Sequence, residues 1–329
     1  MKRALITGIA GQDGSYMAEL LLSKKYKVYG LSRDNTDLTF VPKGVNILYG
    51  DLVDETSLQS AMIISKPDEV YNFGGITDLK TAYGDPELTM KINYESVGIL
   101  LREALNINPK VHFLQASSSE VFLPSAQSLY EKSSRDWDTK NPYAKAKMLA
   151  DRDYIEHARQ AGAYACSVIL FNHESPRRRK SVTTKIVRTL FNIKKGIEEV
   201  LVLGNIDMQR DWGFAGEYCE AMWSMLQIDT ATDLVIASGI AHSVREFIDI
   251  TAHQLDMHIM WQGEGVNMNG LDEKGEVIVK VSSEFYRSTD VYPKIGNISK
   301  AQNILEWKPK VDLQALVALI VRSVQNEKL

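Results

Sequence analysis

Cysteine is scarce in this chain: two in 329 residues, Cys166 and Cys219, far apart and each inside an apolar segment. That distribution excludes a disulfide framework and a cysteine metal cluster, and points to buried free thiols in a reducing compartment. Long apolar runs are missing too. The stretch after Met1-Lys2-Arg3 ends at Thr7, too short for a secretory leader, and no other run is long enough to span a bilayer. Nor is there a long basic run. With 38 Lys+Arg against 42 Asp+Glu the chain is slightly acidic, which argues against nucleic acid as a partner. Internal repeats and low-complexity tracts are lacking as well. A soluble, cytoplasmic protein that holds no metal is the expectation.

What is present is enough apolar material for a sizeable core, 44% of residues, laid out in a regular order. Short apolar runs at Ala4–Thr7, Lys27–Ser32, Asn46–Gly50, Glu69–Phe73, Val111–Ser117 and Tyr164–Phe171 read as strands. Between them, Ser15–Lys24, Glu55–Ile64, Pro86–Asn106 and Pro142–Ala161 read as helices, the last stopped by Gly162. Strand-helix alternation of this kind predicts right-handed crossovers and an α/β, doubly wound parallel sheet of Rossmann-like type. After Phe171 the texture changes to shorter elements joined by loops rich in Gly and Asn. Residues 1–171 are therefore expected to form a dinucleotide-binding domain. Residues 172–329 are expected to form mainly a smaller α/β cap that grips a substrate, with some segments returning to the main sheet.

The dinucleotide expectation rests on Gly8, Gly11 and Gly14, which follow the first strand and open the first helix. Glycines there permit a tight turn and close approach of backbone to a pyrophosphate at a helix N-terminus. Gln12 and Asp13 belong to the same loop, and Asp51 and Leu52, just past the third strand, are assigned to the same cofactor. The second strand ends Leu31-Ser32-Arg33-Asp34, where an acid on the ribose hydroxyls marks NAD sites. Arg33 suits a 2′-phosphate and favours NADP; Asp34 is the argument for NAD. The dense cluster Arg177-Arg178-Arg179-Lys180 is either a solvated loop or a phosphate binder, and charge alone does not decide.

Chemistry is expected where Ser117-Ser118-Ser119-Glu120 ends a strand and Tyr143-x-x-x-Lys147 opens the next helix. On a helix, that Tyr/Lys spacing puts phenol and ammonium one turn apart on one face. Free tyrosine, with a pKa of about 10, is a poor base at neutral pH. The Lys147 ammonium and a positive nicotinamide ring would both favour the phenolate. Ser118, Tyr143 and Lys147 then suffice to move a hydride and a proton at a carbinol carbon, and Glu120 adds a carboxylate able to take a proton from carbon.

In this order these residues resemble the extended short-chain dehydrogenase/reductase superfamily. The runs Thr7–Tyr16, Leu170–Arg178, Arg210–Gly213 and His242–Phe247 sharpen the resemblance to the GDP-mannose 4,6-dehydratases, and it extends through Pro309. The resemblance implies an internal redox elimination on a GDP-sugar that ends in a GDP-4-keto-6-deoxy sugar. Tyr143 would take the C4 hydroxyl proton, Ser118 would polarise the C4 ketone, and Glu120 would remove the C5 proton as water leaves C6. Asn172, Val182, Lys185, Arg210 and Arg287, with Asp290 three residues on, match positions that line the GDP pocket. Without the family, Val182 reads as core and Arg210-Asp211 as a structural ion pair. Departures cluster on the sugar side: Gly74–Leu79 replaces the family's Ala-Ala-Gln-Ser-His-Val, Val121-Phe122-Leu123 its Leu-Tyr-Gly, and Lys140-Asn141 its Arg-Ser. They imply retained GDP and a changed sugar, for instance a GDP-heptose. The runner-up is a GDP-sugar C4 dehydrogenase or epimerase on the same fold. The segment after Arg33 is shorter than in the family, which bears on its tetramer; a dimer through the Pro86–Asn106 and Pro142–Ala161 helices follows from the superfamily pattern.

Overall fold

A computed structural model describes residues 1–122, 139–286 and 293–327. Its first strands are β1 (Arg3–Thr7), β2 (Lys27–Ser32), β3 (Asn46–Tyr49), β4 (Glu69–Asn72), β5 (His112–Ser118) and β6 (Tyr164–Leu170). Together with β10 (Leu234–Ile236) they form a seven-stranded parallel sheet in the order β10-β6-β5-β4-β1-β2-β3. The predicted parallel, doubly wound architecture is therefore observed.

Alternate residues of each strand face opposite layers, so the strands read as continuous apolar runs. Ala4 and Ile6 pack with Met17, Ala18 and Leu21 of α1 (Gln12–Ser23) and with Met222 and Met225 of α9 (Ala215–Met225). Leu5 points the other way, onto Leu58 and Met62 of α2 (Glu55–Ser65) and Leu100 and Leu101 of α5 (Ser96–Ile107). Helix α1 starts three residues earlier than the periodicity indicated, because the glycine loop itself supplies the first turn.

The chain runs outward through β1, β2 and β3, then crosses back to β4, so the order reverses between β1 and β4. In an open α/β sheet a ligand crevice forms at the carboxyl side of such a reversal.

Two long helices depart from expectation. Pro86–Asn106 is not a single α-helix: α4 (Pro86–Met90) passes through a wider π turn at Lys91–Glu95 before α5. Pro142–Ala161 divides likewise into α6 (Pro142–Ala150), a π turn at Asp151–Glu156 and α7 (His157–Gln160). Each π turn carries a buried polar side chain with a structural task, and π turns concentrate at such sites. Asn93 accepts a hydrogen bond from the Ile76 amide and donates one to the Ile76 carbonyl, fixing the loop after β4. Asp151 accepts from Ser117 of β5 (2.8 Å) and Ser167 of β6 (2.5 Å), tying the helix to two strands.

The cap is built on α8 (Val182–Lys194), α10 (Val244–Gln254) and α12 (Leu313–Asn326), which pack on β8 (Leu201–Leu203) and β14 (Val277–Val281) around Ile186, Leu190, Phe247, Val279 and Val317. A small sheet, β11 (Ala241–Ser243), β9 (Gln209–Phe214) and β7 (Asn172–Glu174), runs alongside. The segment Leu234–Ile236 was not foreseen as a strand; β10 reaches the main sheet from within the later half of the chain.

Candidate active site

At the reversal point, a cavity of about 350 Å³ is lined by Gly8, Gly11, Gln12, Asp13 and Gly14 from the first loop and by Arg33, Asp51 and Leu52 from the ends of β2 and β3. All eight expected cofactor residues outside α6 therefore meet in one crevice. Gly74 to Thr77, read from the sequence as lying on the sugar side, line this crevice instead, together with Ser32, Thr36, Phe73 and Arg178. Gly8 has φ +67°, and a Cβ there would stand 2.9 Å from the Gly74 amide nitrogen. A Cβ on Gly14 would sit 2.3 Å from the Gly8 carbonyl oxygen. The turn thus admits no side chain at either position, and the cradle fits a dinucleotide pyrophosphate at the N-terminus of α1.

Gln12 and Asp13 also bind the cap. Gln12 donates to the His173 carbonyl and accepts from Ser175. Asp13 lies 2.9 Å from His173 Nε2, while His173 Nδ1 donates to the Phe171 carbonyl at 2.8 Å. Burial opposes charge on both groups, but their mutual attraction outweighs it, raising the His173 pKa and lowering that of Asp13. The glycine loop is therefore clamped to β7 through the Asp13–His173 contact.

Behind the crevice a buried polar crossbar spans three strands. Thr7 of β1 donates to Asn72 of β4 (2.5 Å), and Asn72 donates to Gln115 of β5 (2.6 Å). Gln115 in turn donates to the Ala116 carbonyl, which also accepts from Lys147 Nζ at 2.8 Å. The end of β1, where the glycine loop begins, and helix α6 thus share one scaffold.

Asn141 sets the phase of α6 by accepting from the Tyr143 and Ala144 amides, with Pro142 in the first turn where its missing N–H costs nothing. As a result Tyr143 and Lys147 share a face, with Nζ 6.0 Å from the ring centre. Burial pushes the Tyr143 phenol up to about 12; the Ser118 hydrogen bond and Arg178 pull it down, and Glu120 adds to the rise. Burial lowers Lys147 to about 8, with Asp151 opposing. Ser118 also accepts from the Glu120 amide, so Ser118, Glu120, Tyr143 and Lys147 converge at the end of β5 as expected.

The expected substrate residues are less closely gathered. Asn172 is exposed at the start of β7, paired in register with Trp212. Val182 is 39% exposed at the start of α8, which overturns the reading of it as core. Lys185 donates to the Val202 carbonyl at the cap's sheet. The backbone of Arg210 pairs with that of Lys294, and the Arg210 guanidinium donates to the Gln209 carbonyl. Asp211, instead of serving mainly as a partner for Arg210, accepts from the backbone of Ser238, Gly239 and Gly296. Arg287 and Asp290 lie outside the described residues. Arg178 had a signal in the basic cluster; Lys294, 3.1 Å from Glu120, had none.

The pattern of the GDP-mannose 4,6 dehydratase family matches residues 5–320. The chain belongs to that family. Among its relatives, GDP-mannose 4,6-dehydratase of Vibrio cholerae serotype O1 is 39% identical, covering 98% of this chain and 93% of its own. GDP-mannose 4,6 dehydratase 2 of Caenorhabditis elegans is 39% identical over 98% of this chain and 88% of its own. Among solved structures, the UDP-glucose 4-epimerase of Thermotoga maritima with UDP-glucose superposes with TM-score 0.81 at 18% identity, covering 98% of each chain. RMD from Pseudomonas aeruginosa, complexed with NADPH, gives 0.78 at 20% identity over 99% of this chain and all of that one. At such identities these two likenesses speak for the fold alone. Among the described residues, no helix is long and apolar enough to cross a membrane and no cluster of potential metal ligands occurs.

Proposed function

We propose that the protein is a hydro-lyase that converts GDP-mannose or a GDP-manno-heptose to the GDP-4-keto-6-deoxy sugar. The observation that carries this reading is Glu120 beside Tyr143 and Ser118: a carboxylate next to the carbinol chemistry serves elimination, whereas oxidation alone has no use for it. A nicotinamide dinucleotide supplies the acceptor and later the donor of one hydride. Tyr143 takes the C4 hydroxyl proton, and Ser118 holds the C4 oxygen by hydrogen bond and so favours the ketone. That ketone acidifies the C5 proton, which Glu120 removes while the C6 hydroxyl departs. Lys147 favours the Tyr143 phenolate by its charge and carries donors left over after Ala116. Asn172, Lys185 and Arg210, with Arg287 and Asp290, are assigned to the GDP end, where guanidinium and ammonium groups suit a diphosphate.

NADP is the proposed cofactor, supported by Arg33 at the cavity wall. Two buried free thiols, Cys166 and Cys219, support a cytoplasmic location. Assembly as a homodimer through the α4–α5 and α6–α7 helices completes the reading. Gly74 to Thr77 line the dinucleotide crevice, so the reading of a manno-heptose in place of mannose rests on the departures at Val121-Phe122-Leu123 and Lys140-Asn141.

Mass spectrometry of products from a panel of GDP-hexoses and GDP-heptoses tests the proposal. Loss of one water from GDP-mannose or a GDP-manno-heptose is expected, and unchanged masses throughout would overturn it. Glu120→Gln should stop water loss while C4 oxidation stays detectable; modest harm would point to epimerisation instead.

A further inference from the structure

Elimination needs an acid as well as a base, because hydroxide departs readily only when protonated. Tyr143 and Ser118 are committed to the C4 oxygen, and Lys147 is buried behind Tyr143 with Nζ on the Ala116 carbonyl. Another cation reaches the site from the segment that pairs with β9. Lys294 Nζ lies 3.1 Å from Glu120 Oε1, the two side chains 15% and 34% exposed.

The position of Lys294 is built rather than incidental. Its backbone bridges to Arg210 of β9 in parallel register. Two residues on, the Gly296 amide donates to the buried carboxylate of Asp211. A Cβ on Gly296 would stand 2.3 Å from Ala237 Cβ, so the strap lies tight against the strand end. An ammonium fixed by pairing with β9 thus meets a carboxylate fixed by the end of β5, across 174 residues of sequence.

We propose that Lys294 is the acid that protonates the leaving C6 oxygen, an inference that rests on the dehydratase reading. As the C5–H bond breaks, Glu120 takes the proton and the electron pair forms the C5–C6 double bond. The C6–O bond breaks, its electron pair staying on oxygen, which receives a proton from Lys294 and leaves as water. The pair is left as carboxylic acid and amine, and one proton transfer along their hydrogen bond restores carboxylate and ammonium. The step is closed: one proton moves from C5 to the departing water, with none drawn from solvent.

Lys294→Met and Lys294→Arg separate this role from mere positioning. Arginine keeps the positive charge and the ion pair but does not give up a proton in proteins. In single-turnover experiments both variants should still oxidise C4, read as reduced-nicotinamide absorbance. Both should release water about 10²-fold or more slowly than the unaltered protein. A GDP-sugar with fluorine in place of the C6 hydroxyl needs no proton on its leaving group, so fluoride release should stay near the unaltered rate. Wild-type water release by Lys294→Arg would overturn the acid role, as would equal loss of oxidation and elimination, or fluoride release slowed as much as water release. If the unaltered protein removes water from no GDP-sugar, the dehydratase reading falls and this proposal falls with it.

Discussion

The two ends of the central sheet both bury ionisable groups, and they treat them in opposite ways. At the amino end, Glu69 is 1% exposed and accepts hydrogen bonds from Lys2, Tyr26, Tyr71 and Gln227 at 2.7 to 3.1 Å. At the carboxyl end, Lys147 is 3% exposed, yet among the described residues its three-proton ammonium meets one acceptor, Ala116. A buried charge with a full set of partners ties strands and helices together. One with too few is held at a cost, and its leftover donors and shifted pKa are what chemistry uses. The amino end is built to stay folded and the carboxyl end to react.

Substitutions should pull these two properties apart. Tyr143→Phe is expected to cut C4 oxidation about 10³-fold, the middle of the range for a lost acid-base group, with no loss of thermal stability. Single-turnover kinetics alongside a melting curve would check it. Glu69→Ala should do the reverse, lowering stability by about 1–3 kcal/mol because it leaves the buried Tyr71 hydroxyl without its acceptor. Its catalytic rate per folded molecule should stay near the unaltered value, read by denaturant titration with active-site counting.

Lys147→Met sharpens the contrast further. Burial holds Lys147 near 8 instead of the ordinary 10.5, so folding at neutral pH carries the cost of an under-solvated ammonium. The variant should lose activity yet gain on the order of 1–3 kcal/mol of stability near pH 7. Between about 8 and 10.5 the unfolded chain still holds a proton that the folded one has released, so the unaltered protein gains stability as pH rises. The gap between the two should therefore close across that window, and a constant gap would refute the assignment. The smallest effect is expected from Asp151→Asn. Asp151 raises the Lys147 pKa, so its neutralisation should move the alkaline limb of the rate profile to lower pH.

Much of the carboxyl end was legible in the sequence, and little of the amino end. The glycine loop, Ser118-x-Glu120 and Tyr143-x-x-x-Lys147 are local patterns whose spacing survives folding unchanged. Asn141-Pro142 even encodes where α6 begins. The network around Glu69 joins residues up to 225 positions apart through Lys2 and Gln227, and no periodicity carries that. For the same reason β10, three residues long, escaped notice as a sheet strand, and Lys294 gave no sign of its proximity to Glu120. The π turns were hidden because Asn93 and Asp151 keep the apolar helical rhythm around them while taking up polar work of their own.

The crossbar Thr7–Asn72–Gln115 has a bearing on engineering. Its side chains come from three neighbouring strands, and its last link delivers the carbonyl that seats Lys147. A designer who grafts only the loop and the Tyr/Lys helix onto another sheet would leave that seat behind. The smallest transplantable unit is the edge of three adjacent strands together with its helix, and exchanges within the crossbar should succeed only as matched sets.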